Sequence, residues 1–316
     1  MAHDCITLVG GTGFVGTQLV VRLAERYSEV RVLTRRARRR AEFRVLPNVT
    51  QLEADVHDVK ALTAAIDGSS VVVNLVGILN ETGSAASGSF GGAHEALTET
   101  VLAACQSTGV TRYLHMSALH ADATDGSSEY LKSKGRAEAH VRAAQAGLAW
   151  TIFRPSVIFG KNDAFFNRFA GLLRGLPGPF PLAMPESRMA PVWVGDVCRV
   201  MMDAIADPET HGRTLALCGP EDYSLRELVE YTAHTAGIKK RVIGLPDWAA
   251  RLQAAVLGRL PGKPFSHDNY LSLQTDSVCE QDSPKQPTSL DAIVPRYIGE
   301  QDWTGQLQDR RELAGR

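Results

Sequence analysis

The chain has 316 residues, of which 44% are hydrophobic and 22% charged, and its formal net charge is −1. That balance suits a soluble globular protein of one large domain or two modest ones, with enough apolar residues for a sizeable core. It leaves no global field to favour nucleic acid or an anionic membrane, and no apolar run approaches the ~18 residues of a membrane span. The opening residues 1–4 run straight into an apolar segment and leave no room for a signal peptide. Cys5, Cys105, Cys198, Cys218 and Cys279 are scattered, with no C-x-x-C pair. They read as reduced, mostly packed thiols of a cytosolic protein. No histidine–cysteine–carboxylate cluster has metal spacing, so no metal site is expected.

The first element is Cys5-Ile6-Thr7-Leu8-Val9, a short apolar run that reads as a buried strand. It feeds Gly10-Gly11-Thr12-Gly13-Phe14-Val15-Gly16, after which Val15, Leu19 and Leu23 recur every four residues as a helix would place them. Strand, glycine loop and helix together form the context in which G-x-x-G-x-x-G becomes a dinucleotide site. Glycines at 10, 13 and 16 let the backbone turn tightly and approach a pyrophosphate, and the helix start favours its charge. The competing reading is a glycine-rich turn that binds nothing.

A second strand covers residues 29–33. At its end, where an acidic residue would hold the 2′-hydroxyl of NAD, the chain has Thr34-Arg35-Arg36. Arginine suits a 2′-phosphate, so Arg35 and Arg36 point to NADP(H), with NAD(H) as the alternative. Arg38, Arg39 and Arg40 read as a solvated helix face, with a contact to an acidic partner or lipid surface as the lesser alternative. The third strand, residues 49–53, leads to Asp55 and Val56, placed to meet the adenine edge; a cap for a helix over residues 58–66 competes for this acidic cluster. Residues 71–77, from Val71 through Asn74 and Val76 to Gly77, read as a continuous buried parallel strand. Ligands of such sheets bind beyond the carboxyl ends of the strands, near Gly77 as well as Gly10.

Residues 80–92 are rich in glycine, serine and alanine and read as a surface loop. A helix follows over residues 93–107, then a strand over 111–116 that ends at Ser117. Tyr130 and Lys134, four apart, share a helix face. An ammonium beside a phenol favours the phenolate, which lets tyrosine pass a proton while hydride moves. Taken alone, Y-x-x-x-K is common on amphipathic helices. Residues 149–155 form a further strand, leading through Arg154 and Pro155 to Val157. A helix is expected near Phe166. The five prolines from Pro177 to Pro191 exclude regular structure across most of their loop. Asp196 is placed to cap a helix running to Ala206, residues 214–218 form a late strand, and Ser224 with Glu227 makes a capping box. Residues 248–260 are amphipathic and read as a core-facing helix rather than a membrane-surface one, since their few charges favour the core.

The alternation predicts an α/β protein with a Rossmann-type, doubly wound parallel sheet and a smaller, mainly C-terminal region. The expected division is 1–160 for the nucleotide-binding domain, completed by parts of 190–220, and 161–316 for the substrate or partner region.

The glycine loop, Asp55, Tyr130-x-x-x-Lys134, residues 154–160 and residues 191–197 together resemble the extended short-chain dehydrogenases/reductases over nearly the whole chain. Residues 74–79, 115–119 and 165–169 resemble one atypical branch, which contains the NADPH-binding accessory subunit of mitochondrial respiratory complex I and bacterial relatives. The resemblance implies a cofactor site of Gly10, Thr12, Gly13, Phe14, Val15, Gly16, Arg35, Arg36, Asp55, Val56, Asn74, Val76, Gly77, Tyr130, Lys134, Arg154, Pro155 and Val157. It implies Tyr130, Lys134 and Ser117 as the catalytic set. Two departures stand out. Family members usually carry a second hydroxyl where this chain has Ala118, and an asparagine where it has His94. The resemblance therefore implies two alternatives. One is an NADP(H)-dependent oxidoreductase or epimerase on a small substrate in the cytoplasm. The other is a weakly active or inactive NADPH-holding partner of a respiratory or quinone-linked complex, peripheral at the inner membrane.

Overall fold

The computed structural model describes residues 5–35, 41–81, 88–144, 147–259 and 265–299. The expectations for residues 1–4, for Arg36 and Arg38 to Arg40, for 82–87 of the glycine–serine loop and for Leu260 lie outside them. The chain divides into two compact units, Met1–Pro155 with Val197–Leu217, and Ser156–Asp196 with Cys218–Arg316.

In the first unit, β1 (Cys5–Val9) is buried along its whole length and passes into α1 (Phe14–Ala24). Then come β2 (Glu29–Thr34), β3 (Val49–Glu53), α2 (Val59–Ile66) and β4 (Val71–Asn74). A π-helical turn over Gly91–Ala96 leads into α3 (Leu97–Thr108), followed by β5 (Arg112–Met116), α4 (Glu129–Arg142) and β6 (Ala149–Pro155). In the second unit lie β7 (Ile158–Phe159), α5 (Phe166–Gly175), β8 (Phe180–Leu182), β9 (Arg188–Met189) and β10 (Val192–Trp193). The chain returns through α6 (Val194–Ala206) to β11 (Arg213–Leu217) of the first unit. The second unit resumes with β12 (Tyr223–Ser224), α7 (Leu225–Thr235), β13 (Val242–Gly244) and α8 (Asp247–Leu257).

The first unit is built on a seven-stranded sheet in the order β11-β6-β5-β4-β1-β2-β3, with every pair parallel. This is the doubly wound α/β sheet that the alternation predicts. Parallel strands need helical crossovers that cover both faces, which explains the continuous apolar runs of β1 and β4. The chain winds one way through β1, β2 and β3, then returns to β4 on the other side of β1. The reversal sets the carboxyl ends of β1 and β4 side by side, with the Leu75 N–H donating to the Val9 carbonyl at 2.9 Å.

Among its described residues, the second unit has three two-stranded pairings, β7 with β10, β8 with β13 and β9 with β12. Its core gathers Phe159, Phe166, Leu173, Phe180, Leu228 and Val294.

Several expectations need correction. Cys218 and Cys279 are joined as a disulfide, whereas Cys5, Cys105 and Cys198 are free and buried. A separation of 61 residues hides this pair in the sequence; the backbone bond from the Gln286 N–H to the Cys218 carbonyl brings the later segment alongside. β4 stops at Asn74 rather than continuing to Gly77, because the Asn74 Oδ1 takes the Val76 N–H at 3.1 Å and turns the chain. The helix expected from residue 93 begins earlier, with Phe90 at the N-cap of the π-turn. Most of the proline-rich loop is irregular, as expected, yet it holds the short β8 with Pro181 at its centre; a two-stranded pair leaves a free edge where the missing N–H costs nothing. Asp196 lies inside the first turn of α6 and accepts the Thr288 N–H at 3.1 Å. In α8 only Ala250 and Ala254 are buried, while Trp248, Leu252 and Val256 face solvent.

Candidate nucleotide-binding site

The glycine loop sits where the sheet reverses direction, at the end of β1. Gly10 has φ +84°, and a Cβ there would lie 3.0 Å from the backbone of Leu75 and Val76. Only glycine satisfies both the turn and this close approach of the β4 loop. A Cβ on Gly16 would sit 2.6 Å from Gly11 backbone atoms, so the third glycine packs the helix against its own loop. Gly13 differs. It is exposed, it is the N-cap of α1 with no side chain capping it, and a Cβ would meet only the Gly10 carbonyl, at 3.2 Å. The space above it is open, as a pyrophosphate would require. Thr12, Phe14 and Val15 are half-buried beside it.

Arg35 is exposed just past the end of β2. Asp55 is also exposed, and its Oδ1 takes the His57 N–H at 3.0 Å; the cap of α2 is Asp58, which accepts from Lys60 and Ala61. Val56 is half-buried.

Asn74 is a buried strut. Its Oδ1 holds Val76, and its Nδ2 donates to the Tyr113 hydroxyl at 3.1 Å and towards Thr98 at 3.4 Å. Tyr113 in turn lies 3.4 Å from His115 Nδ1. His115 is driven down to about 3 by burial and by the Lys134 charge, and its Nε2 is buried without a partner among the described residues.

α4 carries the tyrosine and the lysine. Ser128 caps it, accepting the Leu131 N–H. Gly135 then permits an approach no side chain would allow: a Cβ there would fall 2.2 Å from the Ala123 nitrogen. The helix is thereby pressed backbone-to-backbone onto the segment after β5. One residue earlier, the Lys134 ammonium donates to the Met116 carbonyl at 3.0 Å and the Val76 carbonyl at 3.3 Å. Burial pulls Lys134 down to about 8, against the opposing pull of Glu138. Gly77 lies beneath it, with room for no more: a Cβ would come 3.2 Å from Nζ.

His94 lies buried in the π-helical turn before α3. Its Nε2 accepts the Ile78 N–H at 3.1 Å, so Nδ1 carries the proton of the neutral ring and donates to Ser133 Oγ at 2.8 Å. The Ser133 hydroxyl donates in turn to the Tyr130 carbonyl at 2.8 Å. Burial and the Lys134 charge lower His94 to about 2, which keeps it neutral. The half-buried Tyr130 ring stands edge-on to His94 at 5.5 Å and to Phe90 at 5.9 Å. Ser117 is 3% exposed, and its Oγ is buried with no partner among the described residues. A hydroxyl in that state costs free energy unless something arrives to bond it.

The Arg154 guanidinium is engaged by the fold. It donates to both oxygens of the fully buried Glu138 at 2.7 and 2.6 Å, and to the Ala121 carbonyl at 2.7 Å. Pro155 ends β6, its carbonyl taking the Leu119 N–H. Val157 belongs to the second unit. The roles of Gly135, Glu138 and Ser133 escaped the sequence reading. A glycine inside a helical pattern and a glutamate four residues after Lys134 were the available signals.

Glycine loop, buried ammonium and unpaired serine suit a nicotinamide dinucleotide, and comparison with known proteins agrees. Residues 10–166 match a family model described as NAD(P)H-binding. The rat mitochondrial NADH dehydrogenase (ubiquinone) 1 alpha subcomplex subunit 9 is 30% identical over 300 residues, 90% of this chain and 77% of the rat protein. The chain belongs to the NAD(P)H-binding family of this subunit 9. The mouse subunit 9 is 33% identical over 232 residues, and the match spans 71% of this chain but 59% of the mouse protein. Ceramide reductase of Caulobacter vibrioides is 27% identical over 246 residues, 78% of this chain and 75% of the reductase. Pal of Bacillus thuringiensis superposes with a TM-score of 0.72 over 96% of this chain and 99% of its own, at 20% identity, a likeness of fold.

Proposed function

We propose that this family member is an NADP(H)-dependent oxidoreductase acting on a small carbonyl or hydroxyl substrate. The observation that carries the reading is the buried Lys134 ammonium, held by two carbonyls beside Gly77, with the Ser117 hydroxyl buried and unpaired. When bound, a nicotinamide nucleotide supplies or accepts a hydride. The chain's own groups would do the rest. The loop from Gly10 to Gly16 would seat the pyrophosphate, and Arg35, with Arg36, would face the 2′-phosphate. Lys134 has one N–H left for ribose hydroxyls. Tyr130 would hand its phenolic proton to the substrate oxygen, with the ammonium favouring the phenolate that results. Ser117 would donate to the same oxygen. The similarity to a ceramide reductase favours reduction.

A second reading rests on Ala118 and on the similarity to subunit 9. With the second hydroxyl missing, the chain would hold NADPH for stability and dock on a respiratory or quinone-linked complex.

One experiment separates them. NADPH absorbance is followed with purified protein and a panel of aldehydes and ketones, with Tyr130→Phe as the control. Oxidation that disappears in the variant, at unchanged NADPH affinity, supports the oxidoreductase. NADPH that stays reduced with every substrate while raising the melting temperature supports the holding partner.

A further inference from the structure

Among the described residues, every large exposed apolar side chain of the second unit lies on the Leu176 turn, β13 or α8: Leu176, Ile243, Trp248, Leu252 and Val256. The last three recur every four residues and form one ridge of α8, exposed by 70%, 57% and 51%. The opposite face packs only the alanines at 250 and 254, with Ala183 and Tyr270. The helix thus turns its smallest apolar residues to its own core and its largest to solvent, the reverse of a core-facing helix.

Basic residues flank the ridge in sequence. Residues 239–259 carry Lys239, Lys240, Arg241, Arg251 and Arg259 against Asp247 alone, in a chain of net charge −1. Lys239, Arg241 and Arg259 are exposed. Asp247 is taken by Arg251 at 2.9 Å, so the lone acid does not offset the others. Lys240 caps the end of α5 through the Leu173 and Leu176 carbonyls, which holds its charge beside the exposed Leu176.

We propose that α8, with β13 before it, is a docking surface for an anionic lipid bilayer. A convex ridge of Trp, Leu and Val fits the soft boundary between headgroups and acyl chains, and tryptophan suits that boundary best. The flanking cations select negatively charged headgroups. A second copy of this chain fits worse, since two-fold pairing would bring the same cations against each other. The inference stands apart from the reading of the nucleotide site, whose glycine loop, Ser117 and Lys134 belong to the first unit.

The test is co-sedimentation of the full chain with vesicles of phosphatidylcholine plus phosphatidylglycerol, against phosphatidylcholine alone. The expected result is sedimentation with the anionic vesicles only, weakening with salt, and a blue shift in tryptophan emission that Trp248→Phe removes. Lys239→Gln and Arg241→Gln should each weaken binding about fivefold. Leu252→Glu should abolish it while leaving the melting temperature and NADPH affinity unchanged, because the side chain is exposed and remote in sequence from the nucleotide site. Wild-type protein that stays in the supernatant with anionic vesicles overturns the proposal. So does sedimentation unaffected by Leu252→Glu, or a concentration-dependent dimer abolished by Leu252→Glu without vesicle binding, which would assign the ridge to a second copy.

Discussion

The Lys134 ammonium donates to the Met116 carbonyl at 3.0 Å, joining α4 to the end of β5 where the unpaired Ser117 hydroxyl begins the next segment. A charge held this deep titrates early. Burial brings Lys134 to about 8 in the folded chain, against its ordinary 10.5. The folded state therefore binds fewer protons than the unfolded state between these values, and stability should rise with pH across the window. Compared with Lys134→Met, the wild type should gain up to ~3 kcal/mol from pH 8 to 10.5. Urea unfolding of both proteins across that range checks it; parallel pH dependences would show that Lys134 titrates normally.

The two buried histidines act at the other end of the scale. His94 and His115 fall to about 2 and about 3 in the folded chain. The unfolded state takes up their protons first, so their contribution is complete above the ordinary histidine value of 6.5 and is lost as pH falls below it. Each should cost about 1.4 kcal/mol per pH unit on the acid limb. His94→Gln should remove its share of that slope, read from chemical denaturation at a series of pH values. An unchanged slope would mean that His94 accepts a proton in place.

Two glycines three residues apart should fail differently. Gly13→Val puts a branched side chain into the open space above the helix start. NADPH affinity should drop about a hundredfold or more, ~3 kcal/mol, with the fold intact. Gly16→Ala drives a Cβ to within 2.6 Å of Gly11, so it should cost ~1–3 kcal/mol of stability. Calorimetric titration and thermal melts of both variants distinguish the two effects.

Arg35→Asp tests nucleotide choice. Losing a charge-assisted phosphate contact should weaken NADPH by ~1.5–3 kcal/mol and leave NADH nearly unchanged. Equal losses for both nucleotides would remove Arg35 from the 2′-phosphate site.

For chemistry, the informative pair is Tyr130→Phe with Ala118→Ser. The first should abolish hydride transfer at constant NADPH affinity, since the ring keeps its edge-on contacts with His94 and Phe90. The second restores the absent hydroxyl and should raise turnover of a competent site. Turnover that survives Tyr130→Phe would move the proton donor elsewhere.

Much of this protein is local and so could be read from sequence. The alternation of apolar runs with helical periods defines the parallel sheet, because each strand buried on both faces must be continuously apolar. The glycine spacing after β1, the Ser224–Glu227 box and the four-residue interval from Tyr130 to Lys134 are short-range patterns governed by backbone geometry. What tertiary structure decided is which groups remain for a ligand. Arg154 belongs to Glu138 because α4 lies along β6, and Asn74 is consumed as a strut because β4 and β5 are neighbours. Lys134 is anchored by the carbonyls of residues 58 and 18 positions away, and Ser117 is left unpaired by an absence no motif can express. The disulfide and the outward ridge of α8 depend likewise on contacts distant in sequence. Periodicity reports that a helix has an apolar face; only the packing of Ala250 and Ala254 against Tyr270 determines which face the core receives.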